Sequence, residues 1–157
     1  RWLLARNTML RIGRNLFVHA GLSARLLERD LEIETLNARM SEGLYRTSKE
    51  RREDPTLEFL YRSAGPVWYR GMVCADEKYD PLTPEQTGAL LRRYDADRLL
   101  VGHTIFPDIS TFHDGRVIAV NVQNDLNRRK NRGRAVLIEG SRISVVGNRG
   151  VKRVLEE

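Results

Sequence analysis

Apolar and polar positions along this chain divide it into an early region of mixed hairpin and helical periodicity and a late region of short strands and turns. Near the start, "TMLRIGRNLFVHAG" holds two apolar segments about a Gly-Arg-Asn turn, which predicts a hairpin of Thr8–Arg11 against Leu16–Val18. Ile33, Leu36, Met40 and Leu44 recur at helical spacing with charges between them, a stripe that reads as core contact. "RTSKERREDP" is strongly charged and runs into Pro55, so a loop or a frayed helix end is expected there. "TLEFLYRS" predicts a short helix before the Gly65-Pro66 break.

The richest unit is "DPLTPEQTGALLRRYDADRLLVGHT". Thr83 can cap a helix, Pro84 suits its first position and Gln86 completes a capping box. Leu90, Leu91 and Tyr94 supply its buried side, Asp95 to Asp97 turns the chain, and "RLLVGH" is a short buried strand. Next come "ISTFHDGRVIAVNV", with a turn at Asp114-Gly115, and "RAVLIEGSRISVVG", with a turn at Glu139-Gly140-Ser141. No internal repeat or linker interrupts the 157 residues, which amount to one domain or a large piece of one. The expected class is α/β (α+β), with antiparallel strands at the end.

Composition narrows the partners. With 41% hydrophobic residues the chain can bury a core, yet no apolar run approaches the ~20 residues of a membrane span. "RWLLARNTML" lacks the long apolar core and small-residue cleavage site of a signal peptide, and a first residue of Arg1 suggests a cut chain. Cys74, the single cysteine, can make no internal disulfide and reads as a small hydrophobe; a reducing, cytoplasmic compartment is expected. A net charge of +6 and a pI near 9.9 favour anionic partners: phosphorylated substrates, nucleic acid or acidic surfaces. The run "NRRKNRGR" is most plainly a solvated loop, with a phosphate-facing rim as the sharper reading. It interleaves no aromatic residue, which disfavours nucleic acid.

The candidate chemistry sits at strand ends. "LFVHAG" and "LLVGHT" are apolar strands whose C-terminal tips carry His19 and His103 beside glycine. In open α/β sheets ligands gather at such tips, and neutral imidazole is a common metal ligand. A histidine after an apolar strand is also often a hydrogen-bonded structural residue, and the pattern leaves both readings open. Two histidines are in any case fewer than the ligands a metal usually needs. His113, before the Asp114-Gly115 turn, reads as a surface hairpin residue. In "GPVWYRG", Arg70 between aromatics and glycines suits bidentate phosphate recognition, although a salt-bridging arginine beside a packed Trp68 is the plainer alternative.

Taken in order, "LFVHAGLS", "GPVWYRG", "LLVGHT" and "GRVIAVNV" resemble the C-terminal half of calcineurin-like metallophosphoesterases, and among them the Shewanella-like phosphoprotein phosphatases. The resemblance implies a calcineurin-like metallophosphoesterase β-sandwich flanked by helices, with residues 1–157 forming the C-terminal part of a single such domain. It implies two divalent metal ions (manganese, iron or zinc), His19 and His103 as ligands of the second metal, Arg70 on the substrate phosphate, and Tyr69 at the substrate's border. Gly21 and Gly102 would keep the space around the histidines open. The implied reaction is one-step hydrolysis of phosphomonoesters by a metal-activated water.

Departures from the pattern qualify what is expected of this chain. Its sequence contains no Gly-Asp and no Asn-His pair, so the family's earlier motifs, which carry the remaining ligands and the histidine proton donor, are missing. The catalytic proton donor is therefore expected in an N-terminal half that this chain lacks, and little activity is expected from the chain alone. Ala20 stands where glycine is commoner, as in related dinucleotide polyphosphate hydrolases, and "VNVQND" replaces an Asp-Thr-Gly-like turn. Two alternatives follow: a dinucleoside polyphosphate hydrolase of the same superfamily, or a non-catalytic basic binding module.

Overall fold

The computed structural model describes residues 2–150 and 152–156. Met9–Ile12 (β1) and Asn15–Val18 (β2) form the predicted hairpin, with Met9 opposite Val18 and Ile12 opposite Asn15. Gly13, at φ +57°, supplies the left-handed backbone that so tight a turn requires.

Five short helices follow: Arg25–Arg29 (α1), Ile33–Gly43 (α2), Ser48–Arg52 (α3), Pro55–Tyr61 (α4) and Pro84–Arg93 (α5). α2 buries Leu36 and Met40, as its stripe requires. α3 occupies the charged run expected to be a loop or a frayed end. It buries no residue and is held by its cap: the Thr47 hydroxyl accepts from the Glu50 amide while the Glu50 carboxylate accepts from the Thr47 amide. Arg51 adds donors to the Gly43 and Leu44 carbonyls and stacks 4.0 Å over the Tyr61 ring. α5 starts as predicted, with the Thr83–Gln86 capping box in place and Leu90 and Leu91 buried.

Arg98–Val101 (β3), Ser110–Phe112 (β4) and Val117–Ala119 (β5) complete a mixed sheet in the order β1-β2-β3-β5-β4. β2, β3 and β5 run parallel, and the outer strands pair antiparallel to them. The end of the sheet opposite the histidines is clasped by charge. Arg14, in the hairpin turn, bonds Asp95 and Asp97 in the turn after α5, and its carbonyl accepts from the Asp97 amide at 2.8 Å. Such exposed ion pairs are individually weak, but together with that backbone bond they align β2 with β3, Asn15 beside Arg98 and Val18 beside Val101.

Asn124–Arg129 (α6) leads to Arg134–Glu139 (β6), Arg142–Gly147 (β7) and Lys152–Glu156 (β8), a separate antiparallel sheet. The basic run that reads as a loop thus lies partly in α6 and buries Asn127.

Strand alternation divides the side chains between two cores. Met9, Leu16, Val18, Leu99, Val101, Val117 and Ala119 face the helices. Leu100 and Ile118 face the other way, onto Ile143 and Val145 of the second sheet. This arrangement corrects the expected metallophosphoesterase β-sandwich: the chain forms a small α/β domain, a mixed sheet with a separate three-stranded sheet. The physical reason is that the second sheet covers only part of the mixed sheet's far face. At β1 that face is uncovered, with Leu10 41% and Ile12 59% exposed. No helix among the described residues is long and apolar enough to cross a membrane.

Candidate functional site

The two histidines meet because β2 and β3 are parallel and in register. Val18 lies beside Val101, so the residues that follow leave the sheet at the same edge. The Gly102 amide donates to the His19 carbonyl at 2.8 Å, and a Cβ at Gly102 would stand only 3.2 Å from that oxygen. The next residue turns sharply: His103 has φ +60°, a region non-glycine residues seldom occupy. This twist brings His103 Nδ1 to 3.2 Å from His19 Nε2, with ring centroids 5.0 Å apart.

His19 is exposed and His103 half-buried. Burial, then Arg70, then His19 hold the His103 pKa below its ordinary value, so its ring is neutral near pH 7. Its Nε2 is buried without a hydrogen-bond partner among the described residues. Such an orphaned ring nitrogen needs an explanation, because buried polar atoms are normally satisfied.

The "GPVWYRG" segment docks directly beneath this edge. The Ala20 amide donates to the Pro66 carbonyl at 3.0 Å, and a Cβ on Gly21 would meet the Tyr69 carbonyl at 3.0 Å. Both flanking glycines of the segment are sterically required. A Cβ on Gly65 would stand 2.1 Å from the Leu60 carbonyl oxygen, and one on Gly71 would stand 2.5 Å from that of Asp80. Held this way, Arg70 donates from Nη1 to the Thr104 hydroxyl at 3.0 Å, beside His103, and has no ion-pair partner among the described residues. Its setting is therefore not that of a salt-bridging arginine. Trp68 is 55% exposed, with its ring edge-on to His103 at 5.5 Å, not packed in the core.

Tyr69 is almost wholly buried. Its hydroxyl donates to the Asp80 carbonyl at 2.5 Å, and burial raises its pKa far above the ordinary phenol value. The ring reaches the lining of a neighbouring cleft, but its polar atom is engaged in holding the loop. Cys74 packs half-buried against the core, as a small hydrophobe would.

Thr104 of "VGHT" carries no signal of its role in the sequence, and His113, expected at the surface, is placed differently. The His113 ring is half-buried and lies at hydrogen-bond distance, 3.0 Å, from the Met72 carbonyl, tying the β4–β5 turn to the loop that carries Arg70. No local pattern signals such a contact, since the partners are 41 residues apart.

Two imidazole nitrogens in this arrangement fit part of a cation site. Ligand nitrogens ~2.0–2.1 Å from a shared metal stand ~2.8–3.4 Å apart at octahedral to tetrahedral angles, and the observed 3.2 Å falls within that span. Among the described residues no group of three or more His, Cys, Asp or Glu side chains is placed to hold a cation, so the pair could fill only part of a coordination shell.

No family model and no curated protein matches the chain. Solved structures do. A cold-active protein tyrosine phosphatase superposes with a TM-score of 0.88 at 26% identity, over 99% of this chain and 44% of that one. The cold-active protein-tyrosine phosphatase of a psychrophilic Shewanella species gives 0.87 at the same identity and coverage. The chain thus spans 44% of the length of these neighbours. Over that length it has a tyrosine-phosphatase-like fold, in place of the β-sandwich expected from the sequence, and its kinship with phosphatases is shown at the level of structure.

Proposed function

We propose that the protein belonging to this chain hydrolyses phosphomonoesters of phosphoproteins, assisted by divalent metal ions, manganese, iron or zinc. The observation that carries the reading is the His19–His103 pair, at 3.2 Å, beside Arg70, which has no carboxylate partner among the described residues. The likeness to structures named as protein tyrosine phosphatases supports phosphoprotein as the substrate.

Each residue has a definable task in this reading. His19 Nε2 and His103 Nδ1 would hold one cation, and the burial that lowers the His103 pKa favours the neutral ring whose lone pair such a contact needs. Divalent ions there would supply Lewis-acid activation of a water nucleophile and neutralise phosphate charge. Arg70 presents a guanidinium to the phosphate oxygens, and the Thr104 hydroxyl fixes its direction. Trp68 borders the entrance. Two nitrogens do not complete a metal shell, and no third His, Cys, Asp or Glu side chain among the described residues joins them, so further donors would have to be supplied by other groups.

The test is His103→Ala in the complete protein, with bound metal measured by mass spectrometry alongside turnover of p-nitrophenyl phosphate. The expected result is a metal affinity lowered by more than ~100-fold and loss of turnover together. Wild-type turnover in the variant would remove the proposal. A second measurement isolates the phosphate ligand: Arg70→Lys keeps the charge but loses the fork, and kcat/KM is expected to fall by ~10²-fold with metal content unchanged.

A further inference from the structure

Next to the histidine pair lies a cleft of about 680 Å³ whose walls combine cations with aromatic faces. Arg25 of α1, Arg62 just after α4, and Lys78 and Tyr79 of the segment before Asp80 line it. Trp68 and Arg70 belong both to this cleft and to the surroundings of His103, so the cleft opens onto the proposed phosphate site.

The cleft's charge is unbalanced. Arg25 has no ion-pair partner among the described residues, and Asp80 is the only acidic residue in the lining. Arg62 and Lys78 pair with Glu58 at 3.3 Å and Asp76 at 2.8 Å. Both pairs are solvent-exposed, and such pairs contribute little, so these cations can turn to a ligand carboxylate at small cost. With Arg70 occupied by phosphate, Arg25, Arg62 and Lys78 remain as three separate positive points on three separate segments. That distribution matches carboxylates spaced along an extended chain better than the contiguous charges of a polyphosphate. The exposed Trp68 ring adds an apolar face for the peptide's own side chains.

We infer that this cleft selects phosphoprotein segments carrying acidic side chains beside the phosphorylated residue. The inference rests on the phosphatase reading above and adds to it the class of sequence preferred. Complementary charge of this kind acts mainly on specificity and rate of encounter, and it weakens with salt.

The experiment measures binding. Fluorescein-labelled phosphopeptides of equal length, with Glu, Ala or Lys flanking the phosphorylated residue, are titrated with the complete protein and followed by anisotropy at low and high salt. The Glu-flanked peptide is expected to bind at least ~10-fold more tightly than the Ala-flanked one at low salt. In the double variant Arg25→Gln/Lys78→Gln, shown by thermal melt to be folded, that ratio is expected to approach unity. Equal affinities for Glu and Ala flanks in the wild type, or a ratio untouched by the double variant, would overturn the inference. So would displacement of the Glu-flanked probe by a dinucleoside tetraphosphate at lower concentration than by the unlabelled peptide, which would assign the cleft to nucleotides. Phosphate release is recorded in the same samples. Its absence with the affinity ratio intact removes the hydrolase proposal and leaves the cleft's selectivity standing.

Discussion

Glycines at two turns show how unequal the demands on a single residue can be. Gly13 takes φ +57° with open space where a Cβ would lie, so Gly13→Ala meets only the left-handed backbone penalty of roughly 1 kcal/mol. Gly65 has no such backbone, yet its Cβ would overlap the Leu60 carbonyl at 2.1 Å. Because backbone cannot rotate aside, Gly65→Ala is expected to cost roughly 3 kcal/mol or more. Urea midpoints of the two variants check the order, and a Gly13 variant as damaged as the Gly65 variant would contradict this account. At this scale the sequence showed that His19 and His103 end strands beside glycines. It did not show the left-handed twist at His103 that swings one ring onto the other, because φ at a strand end depends on tertiary context. His113 and Thr104 were unreadable for a related reason: each acts through a partner more than thirty residues away.

Helices were readable where an apolar stripe or a strong start signal marked them; α3, held by a polar cap, and α1 and α6, which have no side-chain cap, were missed. α2 carried an apolar stripe, and α5 carried both a stripe and a start signal. α3 carried only Thr47 and Glu50, a capping pair hidden inside a charged run. α4 depends on Asp54, whose carboxylate accepts from the Thr56 and Leu57 amides and pairs with Arg39. The Arg39 guanidinium, followed by the Leu57 amide, holds the Asp54 carboxyl below the 3.8 of a free aspartate. The folded state therefore binds this proton less readily than the unfolded chain. The stabilisation is full well above pH 3.8 and is lost as pH falls below that value through the folded pKa. Asp54→Asn is expected to lower stability at neutral pH and to flatten the acid limb of a urea-midpoint profile. A wild-type profile already flat across that acid range would refute the assignment. Thr83→Ala offers a comparison at α5 in which the cap itself carries no charge, with an expected loss of ~1 kcal/mol at neutral pH.

Across the whole molecule, the alternation of apolar residues along each strand gave two faces, but nothing in it specified which strands would be neighbours. β2 and β3 are separated by some eighty residues, and their parallel pairing follows from helices packing on one face and from the Arg14 clasp at the far end. The same geometry explains why the sandwich expectation failed: β6–β8 lie over Leu100 and Ile118 and stop short of β1. Leu10, Phe17, Val120 and Val136 consequently line an open depression of about 560 Å³, and Ile12 stands exposed on the same face of β1. β1 is also the edge of the sheet: the Asn37 side chain of α2 accepts from the Thr8 and Met9 amides and donates to the Met9 carbonyl, but among the described residues no strand pairs with the outer edge of Leu10–Ile12. A surface of this kind binds hydrophobic dyes and promotes association between copies. The double variant Leu10→Glu/Ile12→Glu is expected to lower anilinonaphthalene sulfonate emission and to shift the chain toward monomer in gel filtration as concentration rises. Ile12 is largely exposed and Leu10 is 41% exposed, so the stability change should stay within roughly 1 kcal/mol. Dye emission and elution unchanged by the two glutamates would mean that this face is not where the chain's apolar surface meets solvent.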